Sequence, residues 1–152
     1  MLYSGTCAYA IRALTRLALC AAEPGRRQMC RVQDVAQVEG LPRHFLGKVF
    51  QTLAHTGIVR SAKGPHGGFA LAKPAREITL IEIVAAMDGT SHLSRCAAGL
   101  ERCSDHSPCP HHQVWKSIRN EIQQYLQQTT LHDIAQAVEG RRPEGLSGLM
   151  IG

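Results

Sequence analysis

Residues 32–71 read VQDVAQVEGLPRHFLGKVFQTLAHTGIVRSAKGPHGGFAL, and this stretch decides the fold. Val32, Val35 and Ala36 share one face of a short helix over about Val32–Val38, and Gly40 permits a tight turn after it. Pro42 suits the first turn of a second helix, because its missing N–H has no helical partner to lose there. That helix runs to about His55, with Phe45, Leu46, Val49 and Leu53 turned inward, and Gly57 ends it. Two short helices joined by a glycine-containing turn make a helix-turn-helix, a pattern that many helical bundles share. The residues after Gly57 narrow the choice. Ile58-Val59-Arg60-Ser61 and Phe69-Ala70-Leu71 are β-prone runs, and Lys63-Gly64-Pro65-His66-Gly67-Gly68 between them is a turn. A helix-turn-helix succeeded by a hairpin with a basic tip has the element order of a winged helix.

Working outward, the N-terminal side predicts a helix over about Thr6–Ala22, its apolar face formed by Tyr9, Ala10, Ala13, Leu14, Leu17, Ala18 and Ala21. Pro24-Gly25 stops it. On the C-terminal side, Thr79-Leu80-Ile81-Glu82 is a capping box opening another helix that ends at Asp88-Gly89. After a loop from Thr90 to about Pro110, Trp115, Ile118, Ile122, Tyr125 and Thr129 recur at spacings of three and four. This seam is too short to be a stable isolated helix, so it must pack on its own chain or on a partner subunit. A partner is expected, because regulators of this kind read two half-sites. The predicted class is mainly α with a small β-hairpin wing: a winged helix-turn-helix plus a long dimerisation helix. Residues 1–75 form the DNA-binding domain, 76–110 a connecting helix and Cys-rich loop, 111–138 the dimerisation helix region and 139–152 a flexible tail.

Charge points the same way. Residues 1–76 carry a net +8 and residues 77–152 a net −3, within a total of +5 over 152 residues. A basic domain joined to an acidic one suggests that the basic part meets a polyanion. No stretch reaches the ~18 uncharged apolar residues of a membrane span. Arg12 and Arg16 interrupt the apolar start, which argues against a signal peptide. Six cysteines without a secretion signal read as metal ligands or redox thiols in a reducing compartment, so a cytoplasmic location is expected. There is no phosphate-binding glycine loop and no convergent nucleophile–base arrangement, so the chain is not expected to be an enzyme.

The loop from Cys96 to His112 reads CAAGLERCSDHSPCPHH. Spacers of six and five residues, containing Gly and Pro, let three thiols wrap one centre. Thiolates suit iron–sulfur clusters, zinc and copper(I). Zinc sites often use tighter C-x2-C knuckles, and the wider spacers here suit a larger core. Ligand chemistry ranks an iron–sulfur cluster first, zinc and redox thiols without metal level behind it, and incidental cysteines last. His112 is the natural fourth ligand, with His111, His106 and Asp105 as substitutes. Cys20 reads as a small buried hydrophobe, and Cys7, at the chain start, as a group able to reach a partner's loop.

Several stretches resemble one family. Tyr9-Ala10-Ile11-Arg12-Ala13-Leu14 is similar to its opening helix, Gly57–Ser61 with Lys63–Leu71 to its wing, and Glu77-Ile78-Thr79-Leu80-Ile81-Glu82-Ile83-Val84 to its next helix. Over about residues 1–135 the chain resembles the IscR/NsrR (Rrf-two) family of bacterial winged-helix regulators. The resemblance implies a homodimer with crossed long helices and an iron–sulfur cluster held by Cys96, Cys103 and Cys109. 2Fe–2S is the favoured type and 4Fe–4S the second. His112 falls where the IscR branch has its histidine ligand. The chain departs from the pattern at three places. Its first cysteine spacer is one residue longer than in the IscR branch. Ala8, with Cys7 beside it, stands where NsrR-like members supply an acidic ligand. Gly47 stands where IscR-like proteins carry a specificity-reading glutamate, so no target sequence transfers.

On double-stranded operator DNA, the helix from Pro42 to His55 is expected in the major groove, with Arg43, His44 and Lys48 facing bases or phosphates. The wing tip, Lys63, Gly64, Pro65 and His66, is expected in the minor groove with Lys63 as the probe. Gly67 and Gly68 allow close approach, and Arg60 is expected on phosphate.

Overall fold

Small side chains let the first helix occupy the centre of the molecule. The computed structural model describes residues 2–22, 29–100 and 103–141. Helix α1 (Gly5–Ala22) buries Cys7, Ala10, Ile11, Ala13, Leu14, Leu17 and Ala18, and its alanines allow close contact with helices on several sides. Those neighbours are α2 (Val32–Glu39), α3 (Arg43–His55), α4 (Leu80–Asp88) and α6 (Leu131–Glu139). The hairpin of β1 (Val59–Ala62) and β2 (Gly68–Leu71) follows α3, and α5 (His112–Gln128) precedes α6. Tyr9 and Ala21 lie at the exposed margin of the face predicted for α1. Cys20 is half-buried, whereas Cys7 is fully buried. Burial, and then the charge of Asp88, push the Cys7 thiol up to about 12. The Pro24-Gly25 stop lies outside the described residues, as does the tail from residue 142 onward.

The turn chemistry works as the sequence predicts. Gly40 takes φ 64° and its N–H caps α2 on the carbonyl of Ala36. Pro42 stands at the N-cap of α3, and Leu46, Val49, Phe50 and Leu53 point into the core. Phe50, absent from the predicted face, is fully buried and stacks on Phe69 with ring centroids 4.7 Å apart. Phe45 is only half-buried and meets Tyr9 edge-on at 5.7 Å. The apolar stripe of α3 is therefore centred one step further round the helix than its first aromatic suggests.

The hairpin pairs Val59 with Leu71 and Ala62 with Gly68 in antiparallel register. Its inner edge is fastened to the segment before α2 by reciprocal bonds of 2.8 Å between Cys30 and Phe69. This close approach explains Gly68: its φ is +146°, and a Cβ there would stand 2.5 Å from the Cys30 carbonyl oxygen. Gly68→Ala is therefore expected to lower stability by more than about 1 kcal/mol, because alanine both strains the backbone and collides with a second segment. A urea melt with an unchanged midpoint would show that the wing is not anchored this way.

The capping box at Thr79 forms as read, with Glu82 accepting from the Thr79 N–H at 2.9 Å and from Lys73 Nζ at 2.7 Å. A second capping box, Thr130–Asp133, departs from the sequence expectation. It breaks the expected 111–138 helix region in two. Thr129 caps α5, and α6 turns back with Leu131 fully buried and Ala135 nearly so against α1. Backbone bonds from Leu80 N to Thr129 O (2.9 Å) and from Leu131 N to Ile78 O (2.8 Å) lock this return beside the start of α4. Among the described residues, no helix is long and apolar enough to cross a membrane.

Candidate nucleic-acid interface and thiol loop

Because α3 buries Leu46, Val49, Phe50 and Leu53, its opposite side presents Arg43, His44 and Lys48 to solvent. Gly47 sits among them, half-buried and without a side chain. Arg60 lies exposed on β1, where it makes contacts within the chain, and Lys63, Gly64, Pro65 and His66 form the exposed wing tip. The tip is tight: Gly67 N donates to Gly64 O at 3.0 Å, and a Cβ on Gly67 would meet the Ala62 carbonyl at 2.2 Å. The structure adds one cation to this surface. Arg31 Nη2 donates to Pro65 O at 2.5 Å, which brings a further guanidinium to the wing tip. No local pattern marks Arg31. The long-range Cys30–Phe69 pairing puts it there.

The thiol loop is held at both ends by α5. A short 3-10 turn, Ser91–Ser94, leads into it with Leu93 buried. The indole Nε1 of Trp115 donates to Arg95 O at 2.9 Å, and Arg119 Nη1 to Ser94 O at 3.5 Å, so the residues before Cys96 are tied to the helix after Cys109. Gly99, at φ 77°, closes a turn on Cys96 through a bond from its N–H to Cys96 O at 3.2 Å. Polar neighbours, the Ala98 backbone N–H first, hold the half-buried Cys96 thiol below its ordinary pKa.

His112 opens α5, its N–H bonded to Cys109 O at 2.9 Å, and its side chain is only 3% exposed. Its Nδ1 lies 3.2 Å from Cys103 Sγ, and its Nε2 lies 2.7 Å from Asp105 Oδ1. Lys116, one turn further along α5, contacts both oxygens of Asp105 at 2.8 and 3.0 Å. Lys116 first, and His112 second, hold the Asp105 carboxyl at about 2. Of the four expected ligands, the loop sets His112 against Cys103, while Cys96 and Cys109 lie half-buried on the same connector. His106 and His111 are exposed. Among the described residues, no three His, Cys, Asp or Glu side chains close around a single ion. The donor set is soft thiolate plus one imidazole, which fits an iron–sulfur core in its chemistry.

Beyond the loop, α5 carries an uncovered apolar stripe. Val114 is 66% exposed, Ile118 44% and Tyr125 49%, so packing within the chain leaves much of the seam open. Val138 of α6, 43% exposed, adds to the apolar surface near Tyr125.

A helix-turn-helix with an anchored wing, a cationic recognition helix and a cysteine loop define a winged-helix, DNA-binding transcriptional regulator. The family model described as Rrf2, iron-dependent transcriptional regulator, matches residues 3–137, and the chain belongs to this family. A chain of Aquifex aeolicus assigned to the HTH-type transcriptional regulators is 35% identical over 136 residues, covering 88% of this chain and 91% of that one. The transcriptional regulator IscR of Photorhabdus laumondii is 31% identical over 101 residues, 66% of this chain and 61% of its own length. Among solved structures, CymR, the global cysteine regulator of B. subtilis, superposes with a TM-score of 0.74 at 27% identity, over 88% of this chain and 95% of that one. T. potens IscR shares the fold, with a TM-score of 0.69 at 23% identity, over 93% of this chain and 92% of that one.

Proposed function

We propose that the chain acts as a cytoplasmic homodimer whose binding to a double-stranded operator is set by an iron–sulfur cluster on Cys96, Cys103, Cys109 and His112. The observation that carries this reading is the Cys103 sulfur 3.2 Å from the buried imidazole of His112 at the first turn of α5, on a connector that also holds Cys96 and Cys109. Histidine substitutes for cysteine on known 2Fe–2S centres, which favours that type over 4Fe–4S. The likeness to IscR supports it further. When bound, such a centre supplies redox-active, chemically labile iron.

The chain's own residues turn that lability into a signal. The three cysteines belong to the connector between α4 and α5, and His112 belongs to α5 itself. Ligation ties connector to helix, and release frees the connector to rearrange. In a dimer built on the exposed stripe of α5, that rearrangement alters the separation of the two α3 helices. Half-sites lie about one DNA turn apart, so the separation governs operator affinity. Holding the loop then biases one of two binding states. Cluster-loaded and metal-free protein, titrated on one operator, tests this. Equal affinities would end the proposal.

A second reading has its own support. CymR, the global cysteine regulator, is a structural neighbour, and the Cys96 thiol is held below its ordinary pKa, which favours thiolate. In this reading the thiols respond directly and no cluster forms. Iron and sulfide content separates the two.

On the DNA side, Arg43, His44 and Lys48 read the major groove. Lys63 leads the wing tip, with Gly64, Pro65 and His66, into the minor groove, and Arg60 meets phosphate. Lys63→Glu is expected to weaken operator binding and to flatten the plot of log affinity against log salt by about one. Unchanged affinity and slope would remove the wing from the interface.

A further inference from the structure

Resting on the cluster reading, we infer that Asp105 is a positioning residue that turns His112 so that Nδ1, not Nε2, is the nitrogen offered to the centre. The ring's two nitrogens face different partners. Nδ1 lies 3.2 Å from Cys103 Sγ, on the thiol side, while Nε2 lies 2.7 Å from the Asp105 carboxylate. An ionised carboxylate only accepts hydrogen bonds, so Nε2 must carry a proton. A ring carrying that one proton has its lone pair on Nδ1, facing Cys103 Sγ. A ligating histidine held through its other nitrogen by a carboxylate is the usual way a protein fixes tautomer and ring orientation.

Lys116 completes the arrangement. It stands four residues after His112 on the same side of α5 and contacts both carboxylate oxygens. Asp105, a loop residue, is thus gripped by two side chains of one helix. Its side chain is 65% exposed and that of Lys116 38%, so the ion pair adds little to stability. Its effect is directional. The ring of His112, at 3% exposure, sits where a wrong tautomer has no water to satisfy it. Spacing alone makes Asp105 a substitute ligand; its contacts put it behind the histidine.

The test has two readouts on the same samples. Spectra of the metal-free protein with 15N-labelled histidine report which ring nitrogen of His112 is protonated. The wild-type chain is expected to carry the proton on Nε2, and Asp105→Ala to lose that preference. After reconstitution, Asp105→Ala is expected to lose its cluster about tenfold faster in air. Asp105→Asn retains an acceptor oxygen and is expected to stay near wild type. A wild-type ring protonated on Nδ1 with Nε2 free would overturn the inference, as would Asp105→Ala keeping both tautomer and cluster lifetime. Iron and sulfide analysis isolates the underlying reading. Protein that loads iron and sulfide but shows the wrong tautomer overturns only the role of Asp105. Protein that loads neither overturns the ligand role of His112 altogether.

Discussion

Ile118→Glu is expected to leave the chain folded, to make it monomeric in solution, and to weaken operator binding by about 10²–10⁴-fold. Ile118 is 44% exposed, and with Val114 and Tyr125 it forms an apolar stripe on α5 that its own chain leaves open. A glutamate there faces water in the monomer and costs little. In a helix pair it becomes a buried charge without a partner, a loss of several kcal/mol. Two half-sites read by one dimer gain from effective concentration, and a monomer forfeits that gain. Sedimentation and operator titration of the same preparation check both parts. A variant that remains dimeric would move the subunit contact to another surface.

Cys103→Ala is expected to abolish iron and sulfide binding and to give the same operator affinity as metal-free wild-type protein. Both should differ from cluster-loaded protein by about 5–150-fold, the range of a typical coupling between two sites. Cys103 is chosen because its sulfur is the one in contact with the His112 ring. Losing it removes one thiol and leaves a buried imidazole facing a gap. If the thiols act without metal, the variant will instead match the wild-type chain in a reducing buffer and differ only after oxidation.

Much of the fold is legible in the sequence because its signals are local. Gly40, Pro42 and Gly57 punctuate the helix-turn-helix, and each acts through its own backbone preference. The Thr79–Glu82 box is a contact between residues three apart. Other features depend on distant partners or on subtler local cues. Thr130–Asp133 is the same kind of box, hidden inside a longer apolar seam that reads as one continuous region. Nothing local says that Leu131 returns to α1. Phe45 and Phe50 both suit an apolar stripe, and only Phe69, from the other side of the wing, selects Phe50 for the core. The site divides along the same line. Cysteine and histidine spacing singles out Cys103 and His112, which meet at 3.2 Å. Arg31 at the wing tip and the back contact of Asp105 on His112 depend on how the chain folds over itself.

If the three thiols and His112 gather an iron–sulfur cluster that governs operator binding, the metal and the affinity must change together. Iron and acid-labile sulfide analysis of anaerobically purified wild-type protein, paired with operator titration before and after the metal is removed, measures both. Iron and sulfide are expected in equal amounts, with an affinity that shifts on their removal. Protein free of both, binding its operator with unchanged affinity after every metal treatment, would contradict the cluster's role.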